Sequence, residues 1–465
     1  MRSPVSGFGC ISRETGVLLS SPLADRLPDS PIHLKPVLGP IQLVFYSIGI
    51  IIGAGIYSVI GAAAGMAQEA LWVSFLLAAA VALLTGLSYA EMTTTFPKAG
   101  AEFLYLRRAV PEARWAAFGV GVLVLIGGSA TAATVAVAFG GYLRVLVDVP
   151  VWLAALALLV ACTAFNLWGL REASWVNIVF TLVEVSGLVL VIIAGFVGGD
   201  MLTSLEVVPT AAVFPAAATV FFVYLGFEGI ANLTEEVRDP GRDLPKAILS
   251  SIGITTALYV LVALAAVALA SPSELATSEA PLAFAIQKVW PGATTLLSAI
   301  AIFSTANTVL IAMIAASRLA FSMAREGEIP HIFSALLSSR DTPWAAAVLI
   351  LALSMTLATL GGLKILAELS SFAALLAFAA VNVALIVARF RLPQLARPFR
   401  VPLSFGRMPL PPLAAILSIL VLLASFDWRI YVIGIALLSV SGGGYVLRRH
   451  LNPSPPQSRA GQDGL

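Results

Sequence analysis

The chain has 465 residues, of which 59% are hydrophobic and only 11% are charged, and its formal net charge is +2. A soluble domain carries about 25% charged residues, so this composition excludes an ordinary soluble enzyme and indicates a polytopic membrane protein. The small net charge gives no sign of nucleic-acid binding. The two cysteines and three histidines have no spacing that predicts a disulfide, a metal site or a cofactor.

Twelve apolar segments follow one another, each near the ~20 residues that cross ~30 Å of hydrocarbon. They are 41–64, 71–95, 115–143, 151–168, 174–198, 211–236, 247–270, 293–323, 344–361, 365–388, 411–426 and 430–447. We therefore predict an all-α polytopic membrane protein with 12 transmembrane helices. Residues 1–36 and 451–465 are predicted to be tails.

The basic residues predict the orientation of these segments. With a cytoplasmic N-terminus, most Lys and Arg residues fall in cytoplasmic loops, and the opposite side holds only Arg144, Lys288, Lys364 and Arg429. This asymmetry follows the positive-inside rule. It predicts an integral protein of the plasma (inner) membrane with both termini in the cytoplasm.

Two segments are interrupted by glycines at matching places in two halves of the chain. Gly53-Ala54-Gly55, the first break, lies in the first segment, and Gly226-Phe227-Glu228-Gly229, the second break, lies in the sixth. Backbone groups left unpaired at bilayer depth cost roughly several kcal/mol each, so breaks persist only around a protein-lined cavity or a ligand. Paired breaks point to the midplane site of a secondary transporter. The alternative is that the glycines only allow close helix packing.

The positions of the breaks also predict the domain organisation. Residues 37–200 and 201–390 form two five-helix repeats of opposite orientation, with alternating access around a site between them. Residues 391–450 add helices 11 and 12 with a linker. The arginines of the linker run Arg389–Arg407 are expected to meet anionic headgroups. An enzyme would need a catalytic constellation and a channel a continuous polar pore, and the apolar segments contain neither.

Five motifs resemble the amino acid–polyamine–organocation (APC) family of amino acid permeases. They are IIGAGIY at 51–57, FFVYLGFE at 221–228, EEVRDPGRDLPK at 235–246, the end of segment 8 at 316–330, and Thr342-Pro343. Their order and spacing match the family over most of residues 37–450. The resemblance implies a LeuT-type fold with broken helices 1 and 6, and amino acid transport.

An α-amino acid presents a carboxylate and an ammonium group that the two breaks can recognise through backbone atoms. The N–H groups of Gly53, Ala54 and Gly55 are expected to bind the carboxylate at the positive end of the second half-helix. Ala54 stands where some relatives carry a hydroxyl, so no side-chain bond to the carboxylate is expected there.

The ammonium group is expected to meet carbonyl groups freed at the breaks. The candidates are the carbonyls of Ile51, Phe222 and Leu225, the last beside Gly226. Phe222 and Phe227 are candidates for the wall or gate of the side-chain pocket, with ordinary core aromatics as the equal alternative.

Two carboxyl groups lie deep in the apolar segments, and such groups are functional candidates by default. Glu184 occupies a position where many relatives have a lysine. We expect it to carry a proton or to require a cation partner, or else to remain a neutral acid bonded to a helix carbonyl. Glu228 is expected to link protonation to gating, or else to cap the broken helix.

Segment 8 offers the polar residues Ser304, Thr305, Asn307 and Thr308. Ser304 and Thr305 would suit as ligands for sodium, although such hydroxyls more often bond their own backbone. The leading prediction is proton-coupled symport of neutral or broad-range L-amino acids, because no segment shows an obvious further acid for a cationic side chain. The alternatives are an ion-independent exchanger, or a sodium-coupled or cationic amino acid/polyamine carrier. No cofactor and no nucleic-acid partner is predicted, and the oligomeric state is not predicted.

Overall fold

A computed structural model describes residues 39–97, 101–168, 174–201, 210–337 and 342–451. These residues fall in one compact unit, Pro36–Leu465. The predicted tails 1–36 and 451–465 lie outside the described residues, apart from Leu451.

The described residues form a helical structure. The α-helices are α1 (Pro40–Ile52), α2 (Gly55–Ala67), α3 (Leu71–Thr95), α4 (Ala101–Ala109), α5 (Arg114–Leu146), α6 (Val151–Trp168), α7 (Ser174–Gly198), α8 (Val213–Val220), α9 (Pro240–Leu269), α10 (Pro272–Thr277), α11 (Pro281–Gln287), α12 (Ala293–Arg325), α13 (Trp344–Leu360), α14 (Leu363–Arg391), α15 (Leu410–Leu423) and α16 (Trp428–Leu451). The 3₁₀ helices are Gln68–Ala70, Phe221–Tyr224, Phe227–Glu236 and His331–Ser334. Two short antiparallel strands, β1 (Ser404–Phe405) and β2 (Met408–Pro409), lie between α14 and α15.

Among the described residues, eight helical stretches are long and apolar enough to cross a membrane. The pair α15 and α16, bent by 112°, raises this to nine if it forms one span, and α1 and α13 are apolar but shorter. Every predicted apolar segment coincides with a helix or an interrupted helix. The prediction of a helical, polytopic membrane protein is therefore confirmed, while the number of twelve crossings stays a prediction.

Small residues allow the long helices at the centre of the fold to pack closely. Helix α5 contacts both α12 and α14. A Cβ at Gly127 of α5 would lie 3.3 Å from Cβ of Ala373, and one at Gly128 would lie 3.3 Å from Cβ of Ala316. In membranes, such small residues let helix backbones approach and gain van der Waals contact.

The short helices α10 and α11 lie in the connection between α9 and α12, which the sequence analysis did not resolve into helices. Helix α10 packs on α2, where a Cβ at Gly61 would lie 2.4 Å from the carbonyl oxygen of Leu275. A Cβ at Gly65 would lie 2.8 Å from Cβ of Ala276. The two glycines therefore let α10 lie close to α2, with a carbonyl oxygen against Gly61 and a methyl group against Gly65.

The linker after α14 is held by a buried carboxylate. Glu91 of α3 accepts hydrogen bonds from Arg389 Nε at 2.9 Å, Arg397 Nε at 3.1 Å and the Val401 N–H at 2.8 Å. The side chains of Glu91, Arg389 and Arg397 are 0%, 2% and 10% exposed. The expectation that the linker arginines meet lipid headgroups is therefore wrong for Arg389 and Arg397, because their charges are used inside the protein.

Candidate functional site

The two breaks lie against each other. A Cβ at Gly226 would lie 2.7 Å from the carbonyl oxygen of Ile50, and one at Gly55 would lie 3.0 Å from Cα of Val223. Gly226 also has a φ of +122°, which a residue with a side chain rarely adopts. Glycine is required here both by the contact between the breaks and by the backbone conformation.

Tyr259 of α9 joins the two breaks through one hydroxyl group. Its oxygen lies 2.8 Å from the carbonyl oxygen of Ile51, 3.2 Å from that of Ile52 and 3.2 Å from that of Val223. A phenol carries a single proton, so these three carbonyl groups share one donor. Tyr259 was not among the predicted site residues, because no local pattern marks its contacts with Ile51 and Ile52, more than 200 positions away.

At the first break, α12 holds the start of α2. The Ala54 N–H donates to Thr308 Oγ1 at 2.9 Å, and the Ser58 hydroxyl donates to the Ala54 carbonyl at 2.8 Å. The Gly53 N–H donates to the Gly49 carbonyl at 3.2 Å, and Gly55 begins α2. The N–H groups in the first turn of α2 have no hydrogen-bond acceptor within that helix. Of the three predicted carboxylate donors, the Gly53 N–H is therefore used at the end of α1 and the Ala54 N–H by the Thr308 hydroxyl, while Gly55 is the first residue of α2.

At the second break, Glu228 closes the turn. Gly226 N–H donates to Glu228 Oε2 at 2.8 Å, and the Leu225 N–H donates to the Phe222 carbonyl at 3.3 Å. Glu228 thus makes the capping contact that was the alternative to a gating role. The Ile51 and Phe222 carbonyls each already accept one hydrogen bond and retain a second lone pair.

The two predicted pocket aromatics are buried. The Phe227 ring lies 5.1 Å from that of Phe378 on α14 and 5.5 Å, edge to face, from that of Tyr89 on α3, between ring centroids. Phe222 lies in the 3₁₀ turn before the second break and is also buried. These contacts connect the second break directly to α3 and α14.

Glu184 lies on α7, buried against α12 and close to the first break. Its Oε1 accepts from Asn307 Nδ2 at 3.4 Å, and its backbone carbonyl accepts from the Tyr57 hydroxyl at 3.2 Å. Its Oε2 has no hydrogen-bond partner among the described residues, and neither has Asn307 Oδ1. A buried carboxylate with one long hydrogen bond is poorly satisfied if it is ionised.

The two predicted sodium ligands on α12 differ. The Ser304 hydroxyl faces the Glu184 carboxylate and has no hydrogen-bond partner in the described part of the chain. The Thr305 hydroxyl donates to the carbonyl of Ala301 at 2.7 Å, in its own helix. Ser304 therefore has an oxygen free for a ligand, whereas Thr305 makes the backbone contact that was its alternative.

Asn307 and Thr308 were noted as polar residues of segment 8 but were not chosen as site residues. Their contacts with the Glu184 carboxylate and the Ala54 N–H could not be read from spacing. Glu368 of α14 is a buried acid inside an apolar helix, and the rule that such acids are functional candidates could have found it.

Comparison with known proteins gives consistent matches. Residues 38–441 match the family model described as amino acid permease. Branched-chain amino acid permease BcaP of Bacillus subtilis (strain 168) is 29% identical over 421 residues, covering 85% of this chain and 89% of the relative. The vacuolar cationic amino acid transporter 4 of Arabidopsis thaliana is 31% identical over 411 residues, covering 81% of this chain and 66% of the relative.

A third relative has a different substrate in its name. The methylthioribose transporter of Bacillus subtilis (strain 168) is 28% identical over 430 residues, covering 87% of this chain and 92% of the relative. All three relatives are transporters by name, and none is named as an enzyme.

Proposed function

The chain belongs to the amino acid permease family, and from this premise we propose a secondary active amino acid transporter that works by alternating access. It has twelve transmembrane helices, a LeuT-type 5+5 inverted repeat of residues 37–200 and 201–390, and helices 11 and 12 in 391–450. It lies in the plasma (inner) membrane with both termini in the cytoplasm. Its substrates are neutral or broad-range L-amino acids, carried by proton-coupled symport.

The contact between the two breaks carries this proposal. The start of α2 offers N–H groups to the substrate carboxylate, and the carbonyls of Ile51, Phe222 and Leu225 accept from its ammonium group. The Thr308 hydroxyl lies 2.9 Å from the Ala54 nitrogen, where a carboxylate oxygen would also lie. Substrate binding then replaces or rearranges that hydrogen bond, so the bound carboxylate acts on α12.

Proton coupling is supported by the surroundings of Glu184. A proton on its unpartnered Oε2 makes that atom a donor, and the unpartnered oxygens of Ser304 and Asn307 are acceptors. Loss of the proton leaves a buried charge whose nearby donors are the Asn307 amide at 3.4 Å and the Ser304 hydroxyl, both on α12, so it favours a closer approach of α12 to α7. Because Asn307 precedes Thr308, a shift of α12 reaches the Ala54 N–H at the first break. Glu228 acts at the second break, where its carboxylate fixes Gly226.

Sodium coupling has one observation in its favour. The unpartnered oxygens of Glu184, Ser304 and Asn307 are hard ligands of the kind that such a cation prefers. Ion-independent exchange of amino acids would use the same breaks without this cluster.

The test is uptake of labelled amino acids into proteoliposomes under an inward proton gradient, an inward sodium gradient, or with unlabelled amino acid inside. We expect the proton gradient to stimulate wild-type uptake. In Glu184→Gln that stimulation should fall by about fivefold or more, the range of typical coupling free energies. Glu112→Gln, which alters an exposed carboxylate paired with Arg391, is the matched control and should keep it.

The other outcomes are distinct. Stimulation only by sodium would make the Glu184 cluster a sodium site, and uptake that needs only internal amino acid would make the protein an exchanger. Failure to transport any amino acid under all three conditions would overturn the substrate class.

A further inference from the structure

Helix α14 carries a buried carboxylate that the proposed mechanism does not use. The Glu368 side chain is 6% exposed, and its Oε1 accepts from the Thr219 hydroxyl of α8 at 3.1 Å. Thr219 lies three residues before Phe222, about 5 Å along the helix axis. Glu368 is therefore next to the half-helix whose freed carbonyls are candidates for the substrate ammonium group.

The nearest cation does not satisfy this carboxylate. Lys364 Nζ lies 3.7 Å from Glu368 Oε1, beyond hydrogen-bond distance, and the Lys364 side chain is 50% exposed. Exposed partners of this kind contribute little, since water screens them. Thr219 can also donate its one proton to the Pro215 carbonyl, at 3.3 Å. A buried carboxylate with such weak partners calls for a further cationic donor.

A second polar group on the same helix face also lacks a partner. The Ser371 hydroxyl is fully buried and has no hydrogen-bond partner among the described residues. It lies three residues after Glu368, so the two side chains are neighbours on one face of α14. The adjacent Ser370 is in contrast satisfied by Thr131 Oγ1 at 2.6 Å and the Gly127 carbonyl at 3.1 Å on α5. Beside α8, this face of α14 thus carries the unpartnered Ser371 hydroxyl and the weakly partnered Glu368 carboxylate.

This face of α14 belongs to the surroundings of the breaks. Helix α14 contacts α2, α8 and the 3₁₀ turn Phe221–Tyr224. Further along α14, the Phe378 ring packs against Phe221, which precedes the second break, and against Phe227 within it, with ring centroids 6.0 and 5.1 Å apart. A substrate held at the breaks by its backbone groups would have its side chain among these elements.

We propose that Glu368, with Ser371 and Thr219, is the subsite for the positively charged end of a substrate side chain, an ammonium or guanidinium group. Glu368 supplies the opposite charge, and Ser371 supplies a hydroxyl oxygen that accepts a hydrogen bond. The inference rests on the proposed amino acid transport and extends its substrates to cationic amino acids. Lys364 at the edge then competes with the substrate for the same carboxylate.

The test compares labelled arginine and labelled leucine uptake by purified protein in proteoliposomes, for wild type and Glu368→Gln. We expect wild type to transport both. The ratio of arginine to leucine uptake should fall about tenfold or more in Glu368→Gln, because a buried charge pair is lost. Glu279→Gln, an exposed carboxylate paired with Arg144, is the matched control and should leave the ratio unchanged.

Lys364→Met separates this role from a structural one. If Glu368 binds substrate, removing the competing ammonium should lower the arginine concentration needed for half-maximal uptake. If Glu368 only pairs with Lys364, both variants should change thermal stability and leave the arginine to leucine ratio as in wild type, which would overturn the inference. Leucine uptake without arginine uptake in wild type would also overturn it while leaving amino acid transport intact. Uptake of neither would instead contradict the proposed function.

Discussion

At the scale of single residues, Tyr259 is the group that most directly joins the two halves of the site. Its one proton faces carbonyl groups beside both breaks. If the breaks move relative to each other, the carbonyl group that accepts this hydrogen bond changes. Its ring is separately fixed by packing on Phe75 and Tyr224, with centroids 5.9 and 5.5 Å away. The hydroxyl and the ring can therefore be tested apart.

Tyr259→Phe keeps the ring and removes the hydroxyl. We expect the free energy of unfolding to fall by about 1–3 kcal/mol, because buried carbonyls lose their donor, and amino acid uptake to slow. Thermal unfolding in detergent and uptake into proteoliposomes measure the two effects. Tyr431→Phe, which loses a hydroxyl bond to the Leu423 carbonyl away from the breaks, should lower stability alone. Unchanged uptake in Tyr259→Phe would show that this hydroxyl has no part in transport.

The same scale shows which site residues sequence reasoning can find. Gly53 and Gly226 were predicted because a glycine requirement is a local property of the backbone. Tyr259 was not predicted, because its hydroxyl acts on Ile51 and Ile52, more than 200 positions away in the chain. Thr308 was noted only as a polar residue of segment 8, because its contact with Ala54 is equally distant in the sequence. Glu184 and Glu228 were both predicted as functional carboxyl groups. Only the structure shows that they differ, because Glu184 Oε2 has no partner among the described residues whereas Glu228 accepts from the Gly226 N–H.

At the scale of elements, uninterrupted apolar runs were predicted well and short helices were not. Helices α6 and α7 have the predicted bounds, 151–168 and 174–198. Helices α4, α10 and α11 have no more than nine residues, and helices of that length depend on tertiary packing rather than on their own sequence. The close contact of α10 with Gly61 of α2 is packing of this kind. It depends on a residue of α2, so the sequence of α10 shows no pattern that predicts it.

The buried Glu91 cluster fixes one element, the linker between α14 and α15. In Glu91→Gln, two buried guanidinium groups lose their carboxylate. We expect the free energy of unfolding to fall by about 3–5 kcal/mol, the usual cost of removing one partner from a buried pair. Denaturation followed by tryptophan fluorescence measures this change. The exposed pair of Glu112 and Arg391 is the control: Glu112→Gln should not measurably change stability, and equal effects in both variants would contradict the role of burial.

At the scale of the whole molecule, the response of transport to pH must be assigned to particular carboxyl groups. Outside the spans, the Lys288 ammonium, followed by Ser271, lowers the pKa of Glu274 from 4.5 to about 2. A lowered pKa contributes stability that is present above 4.5 and is lost only as the pH falls toward about 2. Glu274 therefore stays ionised throughout the range used for transport assays.

Glu274→Gln should leave the pH profile of uptake unchanged between about pH 5 and about pH 8, because no proton binds Glu274 in that range. Initial uptake rates measured across this range in proteoliposomes check the expectation. A shift of the profile in Glu274→Gln would mean that the connection between α9 and α12 takes part in proton coupling. Glu184→Gln, measured alongside, is the variant in which a shift is expected.

The contact of α10 with Gly61 and Gly65 has a consequence for how the molecule can move. Two glycines there face a carbonyl oxygen, a methyl group and the Cβ of a proline, none of which has a side-chain rotamer to order. Separating and rejoining these surfaces therefore costs little side-chain entropy. This property suits the alternating access proposed above, in which such contacts open and close repeatedly.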